Sequence, residues 1–142
     1  MTGYRKVFLD TAPMIYFLDN DVNFGEKARS ILEEILGNGK ELTTSVITCM
    51  EYLTFPYRNH NSEKAEAFFE FVSDCDVPLY SVDMEIAKKA SMIRAEYGKF
   101  KAMDALQLAS ACVQGCDTFL TNDKQLKQFK EIRCVTVEEW KV

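Results

Sequence analysis

Short apolar runs alternate along this chain with longer segments of helical periodicity, and most runs end on an acid or hydroxyl residue able to cap the next helix. Lys6-Val7-Phe8-Leu9-Asp10 reads as a buried strand, with Thr11 as cap of a helix that starts near Pro13 and runs through Leu18. From about Phe24 to Leu36, the residues Ala28, Ile31, Leu32, Ile35 and Leu36 share one helical face, and Gly37-Asn38-Gly39 ends it. Glu41 to Ser45 is a second strand, with Ser45 capping a helix that carries Glu51. Ser62 opens a further helix with Ala65, Phe68, Phe69 and Val72 as its apolar stripe. Asp76 to Val82 is strand-like, and Asp83 caps a helix with Ile86, Ala87, Ala90, Ile93 and Tyr97 inward, ended by Gly98. The segment from Met103 to Gln114 is apolar nearly all round, which predicts a central helix stopped by Gly115. Thr118 to Thr121 reads as a strand, Asp123 to Phe129 as a short helix and Arg133 to Val137 as a last strand. Strands alternating with helices predict an α/β sandwich around a mainly parallel sheet. Sites in such sheets gather at the carboxyl ends of the strands. No repeat, low-complexity stretch or linker interrupts the pattern, so residues 1–142 are expected to form one domain.

Four acids sit where an acid is costly. Asp10 closes Val7-Phe8-Leu9, Glu51 interrupts an apolar helix, Asp104 opens the run Ala105 to Val113, and Asp123 follows Thr118-Phe119-Leu120-Thr121-Asn122. Each has an ordinary explanation. Asp10 and Asp123 could be caps, Asp104 could complement a helix dipole, and Glu51 could face solvent. Together they would bring carboxylates to one edge of a single sheet. Clustered anions repel unless a divalent cation neutralises them, and carboxylates are rarely buried without a partner. An all-oxygen ligand set without His or Cys suits Mg²⁺ or Mn²⁺ rather than zinc. That chemistry serves phosphoryl transfer. With no Gly-rich phosphate loop, phosphodiester hydrolysis fits better than nucleotide-triphosphate hydrolysis.

Bulk properties set outer limits. A hydrophobic share of 47% argues against disorder. No apolar run approaches the ~20 residues that span a bilayer, and the first residues lack the apolar core of a signal peptide. A cytoplasmic protein is the expectation. The net charge of −5 by itself disfavours a nucleic-acid partner, unless bound cations neutralise the acid cluster. Basic residues are nevertheless grouped at Lys88-Lys89, Arg94, Lys99, Lys101, Lys124, Lys127 and Lys130. Five scattered cysteines read as reduced thiols, although Cys112 and Cys116, four apart, would suit a metal pair on one helix. His60 reads as a loop residue. Tyr52, Phe55 and Tyr57 either stack on bases or pack in the core or a dimer seam, and Trp140 packs the tail after the last strand.

The segments Val7 to Tyr16, Thr44 to Tyr52, Met103 to Ala111 and Thr118 to Asp123 resemble, in order, the motifs of the PIN-domain family, and specifically the VapC-like toxins of toxin–antitoxin pairs. The resemblance implies a Rossmann-like α/β/α sandwich with a five-stranded parallel sheet and a Mg²⁺- or Mn²⁺-dependent endoribonuclease. It implies that Asp10, Glu51, Asp104 and Asp123 are the catalytic, metal-binding quartet. Asp10 and Asp104 would hold the principal ion, and Glu51 and Asp123 would complete the site. Thr11 and Thr121 fall where the family carries hydroxyls near the metals, and Asn122 could serve only to shape a turn. An RNA substrate, a small antitoxin partner and a homodimer are implied in the same way. A PIN nuclease of RNA processing, an enzyme acting on DNA, and a non-catalytic metal- or RNA-binding module remain alternatives.

Overall fold

The computed structural model describes residues 1–142. Five strands, β1 (Lys6–Leu9), β2 (Glu41–Ser45), β3 (Leu79–Tyr80), β4 (Thr118–Thr121) and β5 (Arg133–Thr136), form one sheet in the order β3-β2-β1-β4-β5. Every pairing is parallel, so the sheet is wholly rather than mainly parallel. Six helices join the strands: α1 (Thr11–Leu18), α2 (Gly25–Gly37), α3 (Val46–Arg58), α4 (Ser62–Asp74), α5 (Met84–Glu96) and α6 (Ala102–Val113).

Alternation along the strands sorts the core into two layers. Val7 and Leu9 point into a cluster with α1 to α4 that includes Met14, Ile31, Ile35, Tyr52, Phe68 and Trp140. Phe8 points the other way, into a cluster with Ile86, Ile93, Leu108 and Phe119 from α5, α6 and β4. The rings of Phe8 and Phe119 stack with centroids 5.3 Å apart. Parallel strands covered on both faces read as nearly continuous apolar runs, as β1 and β4 do. The chain reaches β1 to β3 through helices on one face and returns to β4 through helices on the other. The winding therefore reverses between β1 and β4, where ligands bind in open α/β sheets.

Several boundaries differ from the sequence expectation. Asp10, not Thr11, caps α1: its carboxylate accepts the Thr11 N–H at 2.9 Å, which places Pro13 inside the first turn. Asn61, not Ser62, caps α4, because its side-chain oxygen accepts the Lys64 N–H. The strand expected over Asp76 to Val82 shrinks to Leu79–Tyr80. Asp76 turns with φ 49°, and Pro78 contributes only a carbonyl, to Thr44 N–H. α5 ends at Glu96 with Tyr97 as its C-cap, one residue before Gly98. The segment after Asp123 is a 3₁₀ turn, Lys124–Gln128. α6 ends at Val113 and Gly115 takes φ 76°, so Cys112 and Cys116 do not share a helix. Trp140 is buried against Tyr4, in keeping with its expected packing role.

β1 is central and Phe8 is fully buried. Phe8→Ala should therefore cost about 3–5 kcal/mol in urea unfolding, the usual range for a buried ring. A loss below about 1 kcal/mol would contradict the packing described.

Candidate functional site

The ends of the adjacent strands β1 and β4 carry Asp10 and Asp123 to the point where the winding reverses. Asp10 has two fixed oxygens. Oδ1 caps α1 through Thr11 N–H, and Oδ2 accepts the Thr121 hydroxyl at 2.8 Å. Thr121 Oγ1 in turn accepts the backbone N–H of Asp123 at 3.1 Å, so one hydroxyl ties the two acids together. Asp123 caps the 3₁₀ turn through Gln125 N–H and remains exposed. The capping roles foreseen for Asp10 and Asp123 are therefore real, and they leave both carboxylates in the same neighbourhood.

The helices supply the other two acids. Glu51 lies in α3, where its Oε1 accepts the Thr11 hydroxyl at 2.6 Å. Thr11 thus opens α1 and orients Glu51 rather than capping. Asp104 sits half-buried in the first turn of α6, whose N-cap residue, Lys101, makes no side-chain cap. The dipole at this open helix end favours a negative charge. Asn122 donates to the Tyr16 hydroxyl, which braces the β4 turn against α1.

The electrostatics show that the acids share one field. Burial pushes the Asp10 carboxyl up to about 6; hydrogen bonds from Thr121 and Thr11 oppose the rise, and the charges of Asp104 and Glu51 add to it. Asp104 is also raised, first by burial, then by Asp123 and Glu51, with Lys101 pulling the other way. None of the four acids takes part in a salt bridge. Asp10 is nonetheless only 9% exposed. A buried carboxylate among other acids, with no basic partner, is the arrangement that a hard cation relieves. The donors are all oxygen, which fits Mg²⁺ or Mn²⁺. No three acids converge into a ready cage, so an ion here would keep water in its shell, as Mg²⁺ usually does.

Beneath the acids runs a polar layer that sequence reading missed. Thr44 donates to the Leu9 carbonyl at 2.6 Å and shares a 2.8 Å hydrogen bond with Thr48, while Gln107 bonds both Ser45 and Thr48. All are buried. One signal was available: Gln107 is the amide within the apolar run of α6. The other residues expected near the site divide. Tyr52 is buried, with its hydroxyl on Asp19, so it is not free to stack on a base, whereas Phe55 and Tyr57 are 65% and 60% exposed. His60 occupies the turn between α3 and α4 with φ 52°. The five cysteines are unpaired, and burial pushes Cys116 and Cys134 up to about 12, which keeps these thiols protonated. No helix is long and apolar enough to cross a membrane.

Comparison with known proteins agrees with this architecture. The family model for the PIN domain matches residues 7–132, and the chain belongs to the PIN-domain family. No curated protein matches by sequence. Among solved structures the chain is similar to VapBC2 from Rickettsia felis bound to a promoter DNA fragment, with TM-score 0.77 and 15% identity over 92% of this chain and 98% of that one. It is also similar to a toxin–antitoxin complex from Klebsiella pneumoniae, with TM-score 0.72 and 22% identity over 92% and 97%. A third, Mycobacterium tuberculosis VapC20, a sarcin-ricin loop cleaving toxin, gives TM-score 0.65 and 19% identity over 89% and 98%.

The raised Asp10 carboxyl has a pH consequence. Between its ordinary 3.8 and about 6 the folded chain holds the proton more tightly than the unfolded chain, so this group lowers stability as pH rises through that window. In EDTA, Asp10→Asn should gain on the wild type by up to about 3 kcal/mol between pH 4 and pH 7.5, since each pKa unit is worth about 1.4 kcal/mol. Thermal unfolding of both proteins across that range checks this. A variant that loses ground as pH rises would contradict it.

Proposed function

We propose that this protein is a divalent-cation-dependent endoribonuclease, the toxin of a toxin–antitoxin pair. The observation that carries the proposal is the unpaired acid field at the β1/β4 switch point, centred on the buried Asp10 carboxylate. In this reading Asp10, Glu51, Asp104 and Asp123 hold Mg²⁺ or Mn²⁺, with Asp10 and Asp104 as the principal ligands. A bound ion would supply Lewis acidity toward a phosphodiester and make water a competent nucleophile at neutral pH.

The chain's own residues prepare that chemistry. Thr121 and the Thr11 N–H fix both oxygens of Asp10, and Thr11 Oγ1 holds Glu51. These contacts hold Asp10 and Glu51 in place before any ligand arrives, so these two acids need less ordering on binding. Lys101, exposed at the start of α6, brings a positive charge to bear on Asp104 and is suited to meet a phosphate. Lys89, Lys124 and Lys127 are instead paired with Glu131, Glu138 and Glu139. His60 lies in the turn between α3 and α4, beyond the end of the helix that carries Glu51, so proton transfer at the scissile bond would fall to carboxylate and water.

The partners follow from surfaces near the acids. A cavity of about 360 Å³ between α1, α3 and α4 is lined by Ile15, Glu51, Tyr52, Phe55, Pro56 and Lys64. A mixed apolar and charged cavity that includes Glu51 suits an antitoxin segment able to cover the acids. This agrees with the antitoxin complexes among the structural neighbours. Val46, Met50 and Tyr57 fall on one face of α3 and are 40%, 51% and 60% exposed, which suits a seam between two copies of the chain.

Cleavage of a panel of labelled RNAs with Mg²⁺, Mn²⁺ or EDTA, beside Asp104→Asn, tests the proposal. Cuts that require the metal and fall at least ~100-fold in a folded Asp104→Asn protein are expected. Retained cleavage by a homogeneous preparation of the variant would refute the assignment. Metal binding without cutting of any RNA would favour a binding module instead.

A further inference from the structure

Asp104 and Glu51 come from opposite layers of the sandwich, α6 on one face of the sheet and α3 on the other. Their like charges reach each other, since Glu51 is among the causes of the raised Asp104 carboxyl. Something other than charge must hold these helices in register at the edge of the sheet. We propose that Gln107 is the positioning residue that sets this spacing, by clamping α6 to the β2–α3 junction through both ends of its side-chain amide. The inference rests on the cation-dependent reading of the acids above.

The geometry is specific. Gln107 lies three residues after Asp104 in α6, and Thr48 lies three residues before Glu51 in α3, so each is a helical neighbour of its acid. Gln107 Nε2 donates to Thr48 Oγ1 at 2.7 Å, joining the helices one turn in from the carboxylates. Its Oε1 accepts the Ser45 hydroxyl, whose oxygen also caps α3 by accepting the Ile47 N–H at 3.1 Å. The amide therefore grips the first turn of α3 at two points. Thr48 carries the constraint onward. It shares a 2.8 Å hydrogen bond with Thr44, which donates to the carbonyl of Leu9, the residue before Asp10. Thr48 Oγ1 also lies 3.4 Å from the Thr11 hydroxyl that holds Glu51.

Gln107 is 1% exposed and Thr48, Thr44 and Ser45 are fully buried, so water does not compete for these bonds. The clamp is neutral, so it constrains the acids without discharging them. A lysine at this position would pair with the carboxylates and remove the negative field that draws a cation. Nearby, Ser110 shows the contrast: its hydroxyl, one turn further along α6, is buried with no partner at all.

The test uses the whole chain and Mn²⁺ alone as probe. Mn²⁺ affinity, measured by calorimetry and by electron paramagnetic resonance, is compared among wild type, Gln107→Met, Thr48→Val and Ser110→Ala. Methionine keeps the length of the side chain and removes both hydrogen bonds. Partners that orient metal-binding side chains typically change affinity by 10- to 100-fold. Gln107→Met and Thr48→Val are expected to bind Mn²⁺ at least ~10-fold more weakly than wild type while unfolding cooperatively, with Ser110→Ala unchanged. In RNA cleavage the two clamp variants should lose kcat at saturating Mn²⁺ with little change in KM for RNA. Here kcat is referred to the folded fraction measured in the unfolding experiment, because loss of folded protein alone lowers apparent kcat in the same way. Wild-type Mn²⁺ affinity and kcat in a folded Gln107→Met protein would overturn the inference. Should Gln107→Met fail to fold, full Mn²⁺ affinity in Thr48→Val would overturn it equally. If wild type itself bound no Mn²⁺, the reading of the acids would fall, and this inference with it.

Discussion

The structure depends on one buried carboxylate. Asp10 ends the central strand, caps α1 and accepts the Thr121 hydroxyl, so it joins β1, α1 and β4 at a single point. Removing a carboxylate from water costs several kcal/mol unless hydrogen bonds or a counter-charge repay it. Here two hydrogen bonds supply part of that compensation and no basic side chain supplies the rest. The raised Asp10 carboxyl records the deficit. A fold selected for stability alone would put a neutral cap such as Asn or Ser there, since these cap as well. On the proposed function, the acid is a binding requirement kept at some cost in stability.

The rest of the site is organised around that deficit. Three hydroxyls, from Thr11, Thr121 and Thr48, lie among the carboxylates and Gln107, and each orients without neutralising. Asp104 stands at the positive end of α6, where the helix dipole makes its charge less costly. The parallel sheet matters because it brings two strand ends and the first turns of helices from both faces to one edge. The neutral clamp at Gln107 then holds helices that their own acids would push apart.

Much of this was legible in the sequence, for physical reasons that can be named. The four acids stood out because each interrupts or ends an apolar run, and burial makes such positions costly. β1, β2, β4 and most helix limits followed from apolar periodicity and from caps such as Ser45 and Asp83, both of which bond as expected. β3 was overestimated because Val77, Leu79, Tyr80 and Val82 look like strand residues, while Pro78 limits the pairing and the backbone turn at Asp76 depends on tertiary context. Either Asp10 or Thr11 could cap α1, and only the fold decides that Asp10 carries φ and ψ outside the helix while Thr11 bonds Glu51. The layer of Gln107, Thr48 and Thr44 could not be foreseen as a unit. Its members are 63 positions apart at the extremes, from Thr44 to Gln107, and meet only once both faces of the sheet are covered.

That these carboxylates await a divalent cation is tested most directly by thermal unfolding of the wild-type chain against Mn²⁺ concentration, at pH 7.5 and again at pH 5. At pH 7.5 a saturable rise in Tm is expected, because an ion bound to the folded state stabilises it by mass action. The rise should shrink at pH 5, where protons occupy Asp10 in place of the ion. A Tm indifferent to Mn²⁺ at pH 7.5, or a rise no smaller at pH 5, would contradict it.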